Sequence, residues 1–489
     1  MVGSRIATTD SDPIIHLFPS SAPSYSYENS SSASVCDSNG NRLKVFLIQT
    51  AKGLFSSSGG YKANLCFLRF LASRGHSVRQ LCYPHRGEVD TYVQTLARYG
   101  DRDPEHCSKR LHLRDEHGQP GIDVNVDYLA LEDGVQIVAL DKEAFDEAFG
   151  GKIDIHNVIS KETAAYIEER RLSARLHDYV LFLQQETIRF APTHIIFNDG
   201  LSMQATSALE LPNLKACRIA VIHTAEQLPF GPFFGGMPGH VSSPCESKLL
   251  QELDGVWSVS NAIKTYALTH GRLATKFLVH HPWTYLDERT HGMPIHLHNW
   301  NKRFVGMINP CKVKGSQILA SLAKMCPQHE FLVYKSWGFD DRVGEELTTL
   351  RNLTIRSSCT DMEEAWRDIK VLLVPSLWFE AWGIVVIEAH LRGIPVISSD
   401  AGALTEAMLG LDHVIPVVPI QGELDEEGEY IVPRQDTQPW KKTLNRRMSD
   451  KDEYERLSDK VRSVTQKWLW DIDERELERW LIDLPLRAG

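Results

Sequence analysis

Two glutamates, Glu380 and Glu388, are the residues whose type and spacing best predict chemistry in this sequence. They follow an apolar run of strand length, Val371–Val374, and a helix is predicted to begin between them, near Gly383. Eight residues of helix span at most about 12 Å, so these carboxylates are too far apart to share one proton or one small metal ion. They can instead hold the two ends of an elongated ligand whose central anion lies at the helix N-terminus, as in a nucleotide sugar. The competing interpretation is a surface helix with two solvated carboxylates.

The elements around these glutamates predict an open α/β sheet. In such sheets, ligands bind beyond the carboxyl ends of the strands, which is the predicted place of Glu380. A similar alternation of strands and helices starts at Arg303–Ile308, and the first half opens with the run Leu43–Ile48, a glycine-containing loop and an amphipathic helix. The predicted fold class is therefore α/β, with two doubly wound Rossmann-like domains that face a cleft.

Five segments are predicted along the chain. Residues 1–40 form a disordered Ser-rich tail, because they contain too little apolar surface to offset the entropy cost of ordering. Residues 41–285 form an N-terminal Rossmann-like domain, and a linker at 286–300 joins it to a second Rossmann-like domain at 301–450. Residues 451–489 are predicted as helices that pack back on the N-terminal domain.

Composition argues against several functional classes. The chain has 489 residues, of which 42% are hydrophobic and 24% charged, a balance typical of globular proteins. Its formal net charge of -11 argues against a nucleic-acid partner. The nine cysteines include no C-x-x-C pair, which favours free thiols in a reducing compartment. Without a membrane-length apolar run or a signal-peptide pattern, a cytoplasmic protein with no integral membrane association is expected. The oligomeric state is not predicted.

The segment around the two glutamates resembles the donor-binding motif of retaining glycosyltransferases of family four, which have the GT-B fold. The resemblance extends over roughly residues 43 to 410 and is specific over about 371 to 406. Ala403 stands where the family has the second glycine of a pair. The residues that carry the resemblance are Pro375-Ser376, Glu380, Trp382-Gly383, Glu388, Gly393-Ile394-Pro395-Val396, Gly402 and Glu406.

The resemblance implies roles for the residues of this motif. Glu380 would orient hydroxyls of the donor sugar, and Glu388 would accept hydrogen bonds from the ribose. The backbone N–H groups of Gly383 and Ile384 would face the phosphate and the sugar of the donor, next to Trp382. The donor site is therefore expected on the second domain.

The N-terminal domain has two further matches. Gly59 and Gly60 are similar to the family's glycine loop, where the backbone approaches the sugar phosphate because no Cβ intervenes. His223, which follows a predicted strand, is similar to the family's active-site histidine. A Gly-Gly pair alone is more often a simple turn, and a lone histidine is more often structural, so both assignments depend on the resemblance.

The sequence departs from the family where the second domain opens. The family has an arginine and a Lys-Gly pair there, which together neutralise the donor diphosphate. Here Met307 takes the place of the arginine, and Lys314-Gly315 follows two residues later than usual. Lys312 is a possible substitute for the missing arginine; a solvated turn is the alternative for both lysines. The expected catalytic set is Glu380, His223 and Lys314, with Lys312 as a further donor contact.

No metal and no cofactor is expected. Asp471 and Asp473 have the D-x-D spacing of metal-dependent transferases of another fold, but they belong to a charged helical region and not to a strand end. Several histidines lie in or beside the linker, without a cysteine or carboxylate at a spacing that completes a site. These histidines are His280, His281, His291, His296 and His298.

The resemblance implies transfer of a hexose from a nucleotide diphosphate sugar to an acceptor hydroxyl, with retention of the anomeric configuration. UDP-glucose is the expected donor, although neither the base nor the sugar is read from the residues. Two alternatives stay open. One is a sugar phosphorylase or a sugar-nucleotide epimerase on the same fold. The other is a non-catalytic protein that binds sugar nucleotides, which the missing arginine at Met307 would suit.

The acceptor is predicted from the loop Leu228–Pro238, which follows His223 closely and contains three phenylalanines among Gly and Pro. An apolar surface of this kind suits a lipophilic small-molecule alcohol better than a chain of sugars. The alternative is that the rings pack against the core of the domain. The residues assigned to acceptor binding are Phe230, Phe233 and Phe234.

Overall fold

The computed structural model describes residues 42–55, 59–99, 106–150, 155–233, 244–282, 292–336, 338–358, 362–411 and 413–485. The predicted tail at 1–40, residues 286–291 of the predicted linker and Phe234 lie outside these residues. The described part forms two α/β domains, each built on one sheet. None of its helices combines the length and the apolar character needed to cross a membrane.

The first sheet is parallel except at one edge. Its strand order is β3-β4-β5-β2-β1-β6-β7-β8-β9. Strand β4 pairs antiparallel with both β3 and β5, so the parallel sheet that the sequence predicts is extended by an antiparallel edge. The strands are β1 (Lys44–Lys52), β2 (Ser77–Tyr83), β3 (His106–Leu113), β4 (Ile122–Ala130), β5 (Gln136–Leu140), β6 (His194–Phe197), β7 (Cys217–Ile222), β8 (Gly255–Ser258) and β9 (Phe277–Val279).

The second sheet has the order β12-β11-β10-β13-β14-β15, with parallel pairing throughout the described strands. The chain reverses its direction of travel between β10 and β13, and in α/β sheets a ligand crevice opens at such a reversal. The strands are β10 (Phe304–Ile308), β11 (Glu330–Tyr334), β12 (Leu353–Arg356), β13 (Ile369–Val374), β14 (Val396–Ser399) and β15 (Val414–Ile415).

Helices cover both faces of each sheet, so the central strands are buried on both sides and read as continuous apolar runs. In the first domain the helices are α1 (Gly59–Ser73), α2 (Glu88–Tyr99), α3 (Lys142–Ala148), α4 (Ile155–Glu169), α5 (Ala174–Phe190), α6 (Gly200–Ala205), α7 (Pro244–Gln251) and α8 (Asn261–Gly271). In the rest of the chain they are α9 (Ser316–Met325), α10 (Asp341–Thr348), α11 (Met362–Asp368), α12 (Ile384–Leu391), α13 (Leu404–Ala407), α14 (Gln438–Ser449), α15 (Lys451–Asp471) and α16 (Glu476–Asp483).

The C-terminal helices differ from the sequence prediction, which placed all of 451–489 on the first domain. Helix α15 packs instead on the second domain, where Tyr454 and Val461 are buried in its core. Helix α16 returns to the first domain, where Leu481 is fully buried. There His194 Nε2 donates to the backbone oxygen of Leu481 at 2.8 Å, and Arg74 donates to Glu478 at 2.9 Å. The C-terminal segment therefore links the two domains.

Candidate active site

The loop between β13 and α12 contains Glu380 and is held by close backbone packing. Gly315 and Gly402 have φ of 82° and 59°, a region that favours glycine. A Cβ on Gly315 would overlap the backbone of Pro375, and a Cβ on Gly402 would overlap the backbone of Glu380. Ala403, at the second position of the family's glycine pair, donates its N–H to the Glu380 carbonyl at 2.7 Å. The loop is thus fixed by the segments that follow β10 and β14.

Glu380 forms an ion pair with Lys314, across the loops that follow β13 and β10. The hydroxyl of Ser376 also donates to Glu380 Oε1, at 2.6 Å. Only 15% of the Glu380 side chain and 28% of the Lys314 side chain are exposed. Burial acts to lower the pKa of Lys314, but the Glu380 carboxylate outweighs it, so this pKa lies above its ordinary value. Lys314 is therefore a charged ammonium at neutral pH.

A carboxyl group from the first domain belongs to the same cluster. Glu226 lies in a short 3-10 helix, Ala225–Gln227, and accepts a hydrogen bond from the indole N–H of Trp378 in the Glu380 loop. Glu226 is 8% exposed, and its burial raises the pKa of the carboxyl group above the ordinary value. The hydrogen bond from Trp378 and the positive charge of Lys314 act in the opposite direction. A buried acid with a raised pKa that faces a lysine across a domain boundary is characteristic of functional sites.

His223 follows β7 and lies against the N-terminal turn of α1. A Cβ on Gly60 would come within 2.9 Å of the imidazole, so the glycine is what allows this approach. Its Nε2 donates to Asn64 Oδ1 at 2.8 Å, which leaves Nδ1 as the acceptor nitrogen of the neutral ring. Burial lowers the pKa of His223 to about 4. The imidazole is therefore neutral at physiological pH.

Glu388 lies one turn into α12, whose N-cap is Gly383. Burial raises its pKa, while the positive charges of Arg392 and of Lys62, on α1 of the first domain, act in the opposite direction. The carboxylate of Glu388 thus faces the same domain boundary as Glu380. The backbone N–H groups at Gly383 and Ile384 lie at the positive end of the helix dipole, where an anion is favoured.

Trp382 has a structural environment. Its ring is 4% exposed and stacks on His281 of the first domain at a centroid distance of 4.0 Å and an interplanar angle of 18°. On α15, Trp468 lies 5.6 Å from the same ring. Trp382 therefore joins the Glu380 loop to both the first domain and the C-terminal helix, instead of lining an open surface.

A second contact between the domains involves Glu406, the last residue of the sequence motif. Its carboxylate accepts hydrogen bonds from the backbone N–H of Asn261 at 3.0 Å and from that of Ala262 at 3.3 Å. These groups form the N-terminus of α8 in the first domain, where a negative charge is favourable. Glu406 thus fixes how the two domains face each other.

Lys312 and Met307, which stand at and near the position of the family's arginine, each have partners within the second domain. Met307 is 1% exposed and belongs to the core of the second domain. Lys312 forms an ion pair with Glu429 at 2.6 Å. It also lines a cavity of about 550 Å³ between α9, α10 and residues 432–437, to which neither Lys314 nor Glu380 contributes. The ion pair of the Lys312 ammonium is thus with Glu429 and not with Glu380.

The phenylalanines assigned to acceptor binding are packed where the structure describes them. Phe230 fills the space next to Gly271 of α8, and its carbonyl accepts a hydrogen bond from Tyr266 at 3.0 Å. The ring centroid of Phe233 lies 4.8 Å from that of Trp378 and 5.4 Å from that of Phe379, so this ring packs between the two domains. Both rings therefore pack against neighbouring side chains, which is the alternative to acceptor binding that the sequence analysis left open.

The structure thus brings Glu380, Lys314 and Glu388 to one domain boundary, together with His223 and Gly60. It adds two side chains that sequence reasoning missed, and it gives the motif residue Ser376 a partner in Glu380. Glu226 comes three residues after His223, and its position next to a candidate histidine was the signal that could have marked it. Asn64 has no comparable signal, because only the fold places it against His223.

Residues 351–464 match the family model described as "Glycosyl transferases group 1". This match contains the Glu380–Glu388 segment and confirms the predicted resemblance to these glycosyltransferases. No curated protein matches the sequence.

Several solved structures share the fold of this chain. TarM of S. aureus, a mutant in complex with fondaparinux, alpha-GlcNAc-glycerol and UDP, is 13% identical with a TM-score of 0.56, over 90% of this chain and 100% of that one. Sucrose-phosphate synthase of Thermosynechococcus elongatus is 14% identical with a TM-score of 0.57, and the match covers 90% of this chain and 98% of that one. HepE of Anabaena, in complex with UDP and glucose, is 15% identical with a TM-score of 0.53, and the match covers 91% of this chain and 100% of that one. The predicted GT-B fold is confirmed.

Proposed function

We propose that this chain, which has the GT-B fold and a segment matching group 1 glycosyl transferases, is a glycosyltransferase that uses a nucleotide diphosphate sugar. The sugar is a hexose, transferred to an acceptor hydroxyl with retention of the anomeric configuration. The observation that carries the proposal is the Lys314–Glu380 ion pair, in the loops that follow the neighbouring strands β10 and β13. Glu226 of the first domain contacts the Glu380 loop through Trp378. Together these residues offer a cation and hydrogen-bonding carboxylates within one cleft.

The second domain would hold the donor. The diphosphate would bind at the N-terminus of α12, near Gly383 and Ile384, because free N–H groups and the helix dipole favour an anion there. Lys314 would neutralise the leaving diphosphate, and Glu380 would accept hydrogen bonds from sugar hydroxyls. Glu388, further along α12, would accept hydrogen bonds from the ribose.

The chemical step needs no nucleophilic side chain in this proposal. The bond from the anomeric carbon to the phosphate oxygen breaks, and the acceptor oxygen bonds to the same face of that carbon. The departing phosphate oxygen takes the proton of the acceptor hydroxyl. The chain contributes electrostatic stabilisation of the leaving group and fixed geometry, which are the main catalytic terms for such a reaction.

His223 and Glu226 would complete the site from the first domain. His223 is neutral, so it can exchange hydrogen bonds with a sugar hydroxyl without adding a charge. Phe230 packs against Gly271 and Phe233 packs against Trp378, so these rings do not support a lipophilic acceptor pocket. The acceptor is therefore proposed only as a compound with a hydroxyl group. UDP-glucose is the first donor to test, because solved relatives of the fold hold UDP and glucose.

Thermal-shift screening of the full chain against UDP-, GDP- and ADP-sugars tests the donor. A ligand at a hundred times its dissociation constant stabilises by about 2.7 kcal/mol, a clear shift in melting temperature. Lys314→Ala should lose most of this shift, and Lys324→Ala, an exposed lysine of α9, is the matched control.

Product analysis then tests the reaction. Transfer from the best donor should give a product with the anomeric configuration of the donor, measured by NMR. An inverted product would contradict retention, and phosphate-dependent release of sugar 1-phosphate would favour the phosphorylase alternative. Binding without turnover across a broad acceptor panel would favour the non-catalytic alternative, for which the missing arginine at Met307 is the motive.

A further inference from the structure

Three side chains with metal-ligating atoms meet where the segment entering the second domain crosses α15. They are His296, His298 and Asp459, and their ligand atoms all lie within 4.8 Å of one another. The two imidazole rings are stacked at a centroid distance of 3.7 Å and an angle of 29°. His296 Nδ1 lies 3.7 Å from Asp459 Oδ1. This cluster is separate from the Glu380 site and has no role in the proposed transfer.

A hydrogen-bond chain determines which nitrogen of His296 faces the cluster. Ser458 has one hydroxyl hydrogen, and it donates this to the carbonyl of Gly393 at 2.5 Å. The Ser458 oxygen must therefore accept from His296 Nε2, which lies 2.8 Å away. The neutral ring then presents the lone pair of Nδ1 toward Asp459. Histidines that bind metals almost always donate their other N–H to a fixed partner in this way.

The backbone fixes the segment that carries the two histidines, although the His298 and Asp459 side chains are exposed. His296 fits against Gly393 so closely that a Cβ on the glycine would overlap the imidazole. Between the two histidines, Leu297 donates its N–H to the Arg392 carbonyl at 3.1 Å. His298 has φ of 47°, an uncommon value for a residue other than glycine. Strained backbone of this kind often accompanies a functional arrangement.

The donor set fits a transition-metal ion. Two imidazoles and one carboxylate, with a remaining position for water, are a common set of ligands for Zn²⁺. At bond lengths of about 2.0–2.2 Å, two ligands of a tetrahedral ion are about 3.3–3.6 Å apart, close to the separation of His296 and Asp459. Arg462 places a positive charge near His296, but its guanidinium is held by the Leu391 carbonyl. That charge weakens the binding of a cation without blocking the site.

We propose that His296, His298 and Asp459 bind one Zn²⁺ ion and so fasten the segment that enters the second domain to α15. The spacing of the histidines in the sequence did not indicate such a site. The missing carboxylate follows Ser458, which is 162 residues beyond His296. A bound ion would crosslink two distant parts of the chain, so it would stabilise the folded second domain.

Calorimetric titration of the full chain with Zn²⁺, after treatment with a chelator, tests the site. We expect one ion per chain, with binding at least about tenfold weaker in His298→Asn and in Asp459→Asn. Asparagine tolerates the left-handed backbone of His298, so the fold is kept. His117→Asn, at an exposed histidine in the first domain, is the matched control and should bind as the wild type does.

Zn²⁺ should also raise the melting temperature of the wild type and of the control, but not that of the double variant His298→Asn/Asp459→Asn. Equal Zn²⁺ affinity in the wild type and in this double variant would overturn the proposal. So would the absence of any binding to the wild type. Donor-induced shifts depend on Lys314 and are measured separately, so a failure of the metal site is distinguishable from a failure of the proposed transfer.

Discussion

Replacing Lys314 with alanine removes the ammonium that lies between the loops following β10 and β13. One charge-assisted contact to a phosphate contributes about 1.5–3 kcal/mol. At 1.36 kcal/mol for each factor of ten, kcat/KM should fall about 10- to 150-fold. Because Lys314 is expected to stabilise the leaving diphosphate, part of this loss should appear in kcat and not only in KM.

Lys312→Ala is the matched comparison, two residues away. Lys312 already has a counter-ion, Glu429 at 2.6 Å, on a segment apart from the Glu380 cluster. An ion pair of this exposure contributes about 0–1 kcal/mol to folding stability. Because the Lys312 ammonium is paired with Glu429 and not with the Glu380 cluster, its loss should lower kcat/KM less than the loss of Lys314 does. Initial rates with the best donor give both values. A larger loss in Lys312→Ala than in Lys314→Ala would refute the assignment.

The effect of Lys314→Ala on folding must be measured beside its effect on rate, because the substitution leaves the Glu380 carboxylate with Ser376 as its remaining partner in the cluster. The double variant Lys314→Ala/Glu380→Gln removes the uncompensated charge. Because Glu380→Gln alone is expected to lower activity, this single variant is the reference for the rate. If stability returns in the double variant while kcat/KM stays well below that of Glu380→Gln, the lysine acts on the donor. If the double variant matches Glu380→Gln in both stability and kcat/KM, the role of Lys314 is structural.

Three further predictions concern other parts of the molecule. Glu388→Ala should mainly raise KM for the donor, whereas Glu380→Ala should mainly lower kcat, because the two carboxylates are expected at opposite ends of the donor; steady-state kinetics separate the two effects. Gly60→Ala should destabilise the chain by about 1–3 kcal/mol and lower turnover, because the added methyl displaces His223; denaturant unfolding and rate assays measure both. Glu246, whose pKa burial raises to about 8, binds its proton more tightly in the folded state than in the unfolded state. The contribution of Glu246 to the free energy of unfolding is therefore largest below about pH 4.5. It falls by up to about 1.4 kcal/mol per pH unit as the pH rises to about 8. Unfolding measured across this pH range should show that Glu246→Gln removes this pH dependence.

Each of these expectations has an outcome that contradicts it. Wild-type kinetics in both glutamate variants would remove the donor assignment. A Gly60→Ala chain with unchanged stability would show that the His223 ring moves without cost. If Glu246→Gln changes stability equally at pH 4.5 and pH 8, the carboxyl is not protonated in the folded chain, and its partners have to account for its burial.

Local sequence determined the α/β class and much of the second domain. The run Val371–Val374 lies within strand β13, and the run Arg303–Ile308 differs from strand β10 by one residue. A parallel sheet covered on both faces requires continuous apolar runs, and these are visible without a structure. The antiparallel strands β3 and β4 were missed because β3 is mostly exposed and has no such run.

The donor motif was equally visible, because a strand, a loop and a helix N-terminus follow each other directly in the chain. Gly383 is the N-cap of α12, next to the residue at which the helix begins. Glu380 and Glu388 lie on the two sides of this turn, as their spacing indicates. Strand, loop and cap are set by neighbouring residues, so the sequence alone specified this part of the candidate site.

Only the tertiary structure decided which side chains meet across the domain boundary. It placed Glu226 on Trp378, packed Phe233 between the domains, and buried Trp382 against His281. Such contacts depend on how two surfaces close, and periodicity along one segment carries no information about the opposite surface. The physical reason is that hydrophobic burial determines that a side chain is covered, whereas the partner that covers it follows from the packing of the whole chain.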